Sequence, residues 1–168
     1  MDAAPVLAEI GGALHRVGLD TVLIGNAAAA LQGAPVTTVD LDFCFRKTPV
    51  NLRKLRALAD ALGATILRPF YPMSELYRLQ REEDGLQIDF MARIHGIRSF
   101  EGLRARSTAV EIAGTVIHVA SLSDIIKSKR AAGRPRDLAV LEILERAREA
   151  AESPSPKAST RRARARKR

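Results

Sequence analysis

The stretch "LIGNAAAALQGAPVTTVDLDFCF", residues 23–45, ends with two aspartates, Asp40 and Asp42, inside an apolar segment. Its last part, "VDLDFCF", alternates in polarity, which predicts a β-strand over residues 39–45. Residues two apart project from the same face of a strand, so both carboxylates point one way while the apolar side chains point into the core. Two neighbouring carboxylates raise each other's pKa unless a cation lies between them. The pair therefore indicates either a metal site or an edge strand with a solvated polar face.

A third carboxylate, Asp89, lies in "LQIDFMA", residues 86–92, where apolar and polar side chains again alternate. If this predicted strand pairs beside residues 39–45, three carboxylates converge on one face of the sheet. A hard cation such as Mg²⁺ prefers oxygen ligands of this kind and leaves positions open for substrate phosphates. Three carboxylates can hold two metal ions about 3.5–4 Å apart, an arrangement that serves nucleotidyl transfer.

The front of the opening stretch supplies a candidate phosphate turn. An apolar, β-branched run over residues 21–25 predicts a buried strand, and Gly25-Asn26 ends it and opens a helix. Glycine lets the backbone approach a ligand closely, and the first N–H groups of a helix favour anions. A strand–glycine–helix turn is common in proteins and does not by itself indicate a phosphate site. Here it supports one because it lies in the same segment as the two aspartates.

The net charge of +8 is concentrated at one end of the chain. Residues 153–168 carry seven of the 27 basic residues and no acidic one, which leaves 20 basic against 19 acidic residues in residues 1–152. We therefore predict one nearly neutral domain, residues 1–152, followed by a disordered basic tail, residues 153–168. The tail either binds nucleic acid or another polyanion as a loose arm, or serves only as a solubilising end.

The composition also excludes several classes of protein. A single cysteine, Cys44, excludes an internal disulfide framework and a cysteine-based zinc cluster. The apolar runs are far shorter than the roughly 18 residues that indicate a membrane-spanning helix, and the N-terminus lacks the pattern of a signal peptide. We expect a cytoplasmic protein with no membrane partner.

The remaining pattern predicts a mixed α/β domain without an internal repeat. Two hairpins are expected, one turning at Asp84-Gly85 and one near Gly114. Ser121 or Ser123 is a candidate cap for the first of two C-terminal helices. The predicted helices are residues 4–17, 26–33, 52–62, 121–133 and one beginning near residue 135. A further strand is predicted over residues 65–70, with a turn at 71–74.

The strand, the glycine turn, the short helix and the Asp-x-Asp strand together resemble the signature of the nucleotidyltransferase superfamily, whose fold is the polymerase-beta-like palm. In this sequence Gly25-Asn26 is followed by thirteen residues and then by Asp40-Leu41-Asp42. This spacing is within the range of the superfamily. The later aspartate of "LQIDFMA" takes the place of the third carboxylate.

A second segment, "SDIIKSKRAAGRPRDLAVLEIL", residues 123–144, is similar to a helix pair of small bacterial nucleotidyltransferases. These include the AbiEii-type toxins of abortive-infection and toxin–antitoxin systems. The matching positions are Lys129, Arg134 and Asp137. The two resemblances together cover most of residues 20–145.

The resemblance implies an α/β (α+β) fold, a nucleotidyltransferase-like mixed sheet flanked by helices with two C-terminal helices. It implies transfer of a nucleoside monophosphate from an NTP to a hydroxyl acceptor, which in relatives is an RNA 3′ end, a protein side chain or a small molecule. Asp40, Asp42 and Asp89 would be catalytic and bind Mg²⁺ or Mn²⁺, and Asp89 is also the candidate base. The residues implied in nucleotide binding are Gly25, Asn26, Thr38, Lys129 and Arg134.

Alternatives to this enzyme follow from departures from the family pattern. Asn26 stands where relatives have Gly or Ser, and Val36 stands where many of the toxin branch have Arg. Both favour a non-catalytic member that binds nucleotide or a partner protein. A third hypothesis is an RNA-binding accessory protein that works mainly through its tail. Asp137 would orient Lys129 or Arg134, or cap the last helix. The toxin branch further implies a role in toxin–antitoxin or phage-defence systems, with a cognate antitoxin as partner.

Overall fold

The computed structural model describes residues 4–38, 40–67 and 75–153, and these form seven helices and seven strands. The helices are α1 (Ala4–Val17), α2 (Gly25–Ala30), α3 (Pro49–Ala61), α4 (Phe100–Ala105), α5 (Leu122–Ala132), α6 (Pro135–Leu138) and α7 (Leu141–Glu152). The strands are β1 (Thr21–Ile24), β2 (Leu41–Phe45), β3 (Thr65–Leu67), β4 (Leu76–Arg81), β5 (Leu86–Met91), β6 (Thr108–Ile112) and β7 (Thr115–Val119).

The seven strands form one mixed sheet in the order β3-β4-β5-β2-β1-β7-β6. The two predicted hairpins, β4-β5 and β6-β7, are antiparallel and lie on either side of the central antiparallel pair β1-β2. The central pair is joined to each hairpin by parallel pairing, β2 with β5 and β1 with β7. The predicted α/β fold, with its mixed sheet and flanking helices, is confirmed.

Aromatic packing on the core side of β2 and β5 fixes how these strands face. Phe43 and Phe90 stack with their ring centroids 5.4 Å apart, and Phe45 packs edge-on against Phe90. All three rings are completely buried. Successive strand residues point to opposite faces, so this packing directs Asp42 and Asp89 to the other face of the sheet. A slip of one residue would expose the rings, and the core therefore also fixes the register of the aspartates.

Helix α5 begins and ends where its sequence signals predict. The hydroxyl of Ser121, the first of the two candidate caps, accepts a hydrogen bond from the backbone N–H of Asp124 at 3.1 Å. Gly133 ends the helix, and Pro135 begins α6 directly afterwards. The short link places α6 and α7 back against α5, which also packs against α2.

The strand that carries the Asp-x-Asp motif is shorter than predicted. It begins at Leu41, so Asp40 precedes it, and the predicted start at residue 39 lies outside the described residues. The backbone N–H of Asp40 donates to the hydroxyl of Thr38 at 3.1 Å, and that hydroxyl lies 3.2 Å from the carbonyl oxygen of Asp40. This local contact satisfies backbone groups that a strand would pair with its neighbour.

Two helical features differ from the sequence prediction. Helix α4 was not predicted, because it is one and a half turns long and buries only Phe100 and Leu103. The single helix expected from residue 135 is instead divided between α6 and α7. The division lets α7 pack on α5 with Leu144 completely buried. An ion pair between Arg130 and Glu145 also joins these two helices.

Some predictions fall on residues that the structure does not describe. These are the end of the strand expected over residues 65–70, the turn at 71–74 and the basic tail from residue 154. Across the described ranges, none of the helices combines the length and the apolar character needed to cross a bilayer.

Candidate active site

The pairing of β2 with β5 brings two of the predicted carboxylates together. The two strands are parallel, and Asp42 lies directly opposite Asp89. On the other side of β5, Arg78 of β4 lies directly opposite Asp89. Side chains of directly opposed residues share a face, so Arg78, Asp89 and Asp42 form a row across three strands. We call this set the carboxylate row.

Asp42 lies in an environment that disfavours its charged form. Burial raises the pKa of this carboxyl to about 6, and the negative charges of Asp89 and Asp40 act in the same direction. The positive charges of Lys129 and Arg134 oppose the shift, which places both cations within electrostatic range of Asp42. The third predicted carboxylate, Asp40, is exposed just before β2 and is close enough to act on Asp42. All three aspartates thus belong to one electrostatic cluster.

Gly25 lies against the carboxylate of Asp42. Its backbone has φ +71°, and a Cβ atom at this position would be 2.8 Å from Oδ2 of Asp42. No other residue type fits this conformation and this contact without strain. The sequence predicted close approach of a ligand to this glycine, and the contact found is with the carboxylate.

Asn26, the next residue along α2, carries a buried side-chain oxygen without a partner. Its Oδ1 accepts no hydrogen bond from any described residue. An unsatisfied buried acceptor costs about 1–3 kcal/mol, and the described residues contain others, such as Nδ1 of His118, outside this cluster. Thr38 is placed differently, because its hydroxyl is engaged with the backbone of Asp40.

Lys129 and Arg134 are held by one buried carboxylate. Asp137, 3% exposed, accepts hydrogen bonds from Nζ of Lys129 at 3.2 Å and from Nε of Arg134 at 2.5 Å. Burial alone would raise the pKa of Asp137, but the hydrogen bonds from Arg134 and Lys129 outweigh it and the pKa is lowered. Of the roles considered for Asp137, orientation of these two cations is the one that the geometry supports. We call the three residues the Asp137 triad.

Arg78 was missed by the sequence prediction. Its Nε and one Nη each donate to a different carboxylate oxygen of Asp89 at 2.8 Å. A two-residue turn at 84–85 would set Gln80 opposite Asp89, whereas the turn found spans residues 82–85 and sets Arg78 there. The pairing needs the exact register, which alternation alone does not give.

The fit of a divalent metal ion to this cluster is mixed. Three carboxylates are the hard oxygen donors that Mg²⁺ and Mn²⁺ prefer, and the backbone of Gly25 lies against the carboxylate of Asp42. Yet the described residues include no group of three His, Cys, Asp or Glu side chains placed to hold a metal ion. Both oxygens of Asp89 are engaged by Arg78 instead. The oxygen donors suit a divalent cation, but the carboxylate of Asp89 is paired with Arg78 instead.

Comparison with known proteins finds one matching family. Residues 4–164 match a family described as nucleotidyl transferase of unknown function (DUF2204). No curated protein matches the sequence.

Three solved structures illustrate the likeness. The lincosamide antibiotic adenylyltransferase LnuA, lincomycin-bound, is 12% identical, with a TM-score of 0.60 over 86% of this chain and 96% of its own. ANT(2″)-Ia in complex with adenylyl-2″-tobramycin is 16% identical, with a TM-score of 0.58 over 90% and 97%. The Thermotoga maritima protein TM1012, classed as a nucleotidyltransferase, is 22% identical, with a TM-score of 0.58 over 82% and 89%. At these identities the likeness shows a shared fold.

Proposed function

This chain belongs to the nucleotidyl transferase family of unknown function (DUF2204), and we propose that it transfers a nucleoside monophosphate from an NTP to a hydroxyl group. The observation that carries the proposal is the pairing of Asp42 with Asp89 beside Gly25. Two carboxylates in register, with a glycine backbone against one of them, offer a place for a cation and a phosphate chain together.

Asp40, Asp42 and Asp89 are the residues that we propose to hold Mg²⁺ or Mn²⁺. A divalent cation bound there would polarise the phosphate oxygens and lower the pKa of the attacking hydroxyl. The raised pKa of Asp42 supports this assignment, because a cation would relieve the mutual repulsion of the three carboxylates.

The chain's own side chains perform the remaining steps in this proposal. Lys129 and Arg134, oriented by Asp137, bind the triphosphate within electrostatic range of Asp42. Gly25, Asn26 and Thr38 lie along the nucleotide. Asp89 takes the proton of the acceptor hydroxyl, whose oxygen bonds to the α-phosphorus as the bond to the leaving pyrophosphate breaks.

A small molecule with a free hydroxyl is the acceptor that the comparisons favour. The neighbours named for lincomycin and for adenylyl-2″-tobramycin share this fold over nearly their whole length. An RNA 3′ end or a protein side chain remains the alternative acceptor. Several statements remain predictions from the sequence. These are the relation to AbiEii-type toxins, a role in toxin–antitoxin systems or phage defence, a cognate antitoxin and a cytoplasmic location.

A second candidate function is a non-catalytic protein that binds nucleotide on the same scaffold. The ion pair between Arg78 and Asp89 favours it, since a carboxylate with both oxygens engaged is not available as base or metal ligand.

One experiment separates the two functions. The protein is incubated with each α-labelled NTP, with Mg²⁺ or Mn²⁺, and with a panel of hydroxylated small molecules, total RNA or cell extract. The enzyme should label one acceptor, and D42N should reduce labelling at least about a hundredfold because it removes a metal ligand. D60N changes an exposed aspartate on α3 and should leave labelling intact. Nucleotide binding without metal and without any labelled acceptor would establish the non-catalytic function instead.

A further inference from the structure

Arg78 is the cation of the carboxylate row, and it directly contacts Asp89. Its guanidinium meets both oxygens of Asp89 at 2.8 Å, while Lys129 and Arg134 are bound to Asp137. The side chain of Asp89 is 15% exposed and that of Arg78 is 41% exposed. A bidentate guanidinium on a carboxylate is among the strongest charge-assisted contacts that side chains make. The position next to Asp89 is therefore occupied by a charge of the protein itself.

We propose that Arg78 is a positioning residue that competes with the divalent cation for Asp89. In the free protein Arg78 keeps Asp89 in an ion pair. When cation and nucleotide bind, Arg78 leaves and Asp89 turns to the cation. This inference rests on the proposed function, since it concerns the same cluster of carboxylates. It also accounts for why the three carboxylates are gathered without being arranged as a metal site.

The charges around the row explain why both states are accessible. Without any cation, Asp42 and Asp89 would stand opposite each other on adjacent strands with Asp40 nearby, and they would repel. Arg78 compensates one of these charges. A divalent cation brings two positive charges to the cluster, and it would repel the guanidinium of Arg78 at close range.

The exposure of Arg78 makes its release feasible. An ion pair with one partner 41% exposed is screened by water and is weakly held compared with a fully buried pair. The long side chain can move into solvent without disturbing β4, whose backbone pairing with β5 is independent of it. Among the described residues, Arg78 is the hydrogen-bond partner found for the Asp89 carboxylate, so opening the pair makes both oxygens available to another cation.

The test measures Mn²⁺ binding rather than activity. Mn²⁺ affinity is determined by electron paramagnetic resonance for the wild type, R78Q, D89N and R78Q/D89N, with Mn²⁺ alone and with Mn²⁺ plus ATP. R78Q should bind Mn²⁺ about tenfold more tightly than the wild type, because a competing charge is gone. The gain should vanish in R78Q/D89N. R81Q, which breaks an ion pair further along β4 with Glu9 and Asp84, should leave the affinity unchanged.

A stability measurement gives a second, independent readout. Without metal, R78Q should unfold several degrees below the wild type, since the carboxylates are left uncompensated, and Mn²⁺ should restore the difference. R78K keeps the charge but not the bidentate contact, so it should fold and show a smaller gain in affinity. If R78Q does not fold, R78K carries the comparison.

The outcomes separate this inference from the proposed function. Equal Mn²⁺ affinity in the wild type, R78K and R78Q would overturn competition by Arg78 and leave the metal-dependent transferase standing. Weaker binding in R78Q would also overturn it, because Arg78 would then support the metal site. If none of the variants binds Mn²⁺, even with ATP present, the metal centre and the inference built on it both fall.

Discussion

Asp42 and Asp137 are both shielded from solvent, but their pKa values are shifted in opposite directions. Burial raises the pKa of Asp137, but hydrogen bonds from Arg134 and Lys129 outweigh it and the pKa is lowered. Among the described residues, no hydrogen bond or ion pair lowers the pKa of Asp42 in this way. Its pKa rises to about 6 through burial and the charges of Asp89 and Asp40.

Burial alone therefore does not identify a binding carboxylate. Asp137 is the more buried of the two, yet the protein's own cations neutralise it, so its role is to hold those cations in place. Asp42 is left with repulsion that an added cation would relieve. Substitutions can test this difference between a carboxylate with hydrogen-bond partners and one without.

The largest effect is expected at the Asp137 triad. D137A leaves Lys129, whose side chain is 12% exposed, without its buried partner and should lower the free energy of unfolding by about 3–5 kcal/mol. Urea unfolding of the two proteins measures this difference. E145Q, which breaks the more exposed ion pair with Arg130, should cost no more than about 1 kcal/mol. Equal effects of the two substitutions would show that Asp137 does not fix the cations.

The second effect is a pH dependence that belongs to Asp42. Its pKa is about 6 in the folded protein against 3.8 for an unperturbed carboxyl, so between these values the folded state holds a proton that the unfolded chain has lost. The free energy of unfolding should therefore fall as pH rises from about 4 to 6, by roughly 2–3 kcal/mol in all. The charged groups that act on Asp42 are Asp89, Asp40, Lys129 and Arg134.

The measurement compares unfolding of the wild type and D42N across this pH range. D42N cannot titrate at this position and should lose most of the decline. Saturating Mg²⁺ should flatten the wild-type curve as well, because the cation then replaces the proton. A wild-type curve that D42N reproduces would assign the pH dependence to other groups.

The features of this site that depend on neighbouring residues in the sequence could be predicted. The turn at residues 84–85 and the alternation of β5 predict the hairpin, and the cap at Ser121 predicts the start of α5. Aromatic alternation predicts which face of β2 and β5 carries the aspartates. These features depend on local propensity and on periodicity, both of which are legible in a single sequence.

The parts that could not be predicted depend on contacts between distant residues or on one hydrogen bond. Arg78 meets Asp89 only because β4 and β5 pair in one particular register. Asp40 leaves the strand because the hydroxyl of Thr38 engages its backbone. Arg134 lowers the pKa of Asp137 from three residues away, but the further contribution of Lys129 needs the preceding helix at hydrogen-bonding distance, which only the packed structure brings about.

A third substitution tests the contact between Gly25 and Asp42. G25A places a methyl group 2.8 Å from Oδ2 of Asp42 and forces alanine into a left-handed conformation. G33A has the same conformational cost, with φ +86° and no atom within 4 Å of the new Cβ, so it is a matched control. Thermal unfolding should show G25A to be less stable than G33A by about 1–2 kcal/mol. If the two variants are equally stable, the carboxylate moves aside freely and the contact does not constrain the site.

The smallest effect is expected at Asn26, where an unsatisfied oxygen lies one residue from Gly25. N26A removes a buried acceptor without a partner and should raise the free energy of unfolding by about 0.5–1 kcal/mol. The same change should weaken NTP binding, because we expect the amide to gain its missing partner from the bound nucleotide. Urea unfolding and calorimetric titration with ATP measure the two effects on the same protein. A stabilised N26A with unchanged ATP affinity would show that Asn26 does not contact the nucleotide. A stabilised N26A that binds ATP more weakly would group Asn26 with Asp42, whose repulsion we propose that a bound cation relieves.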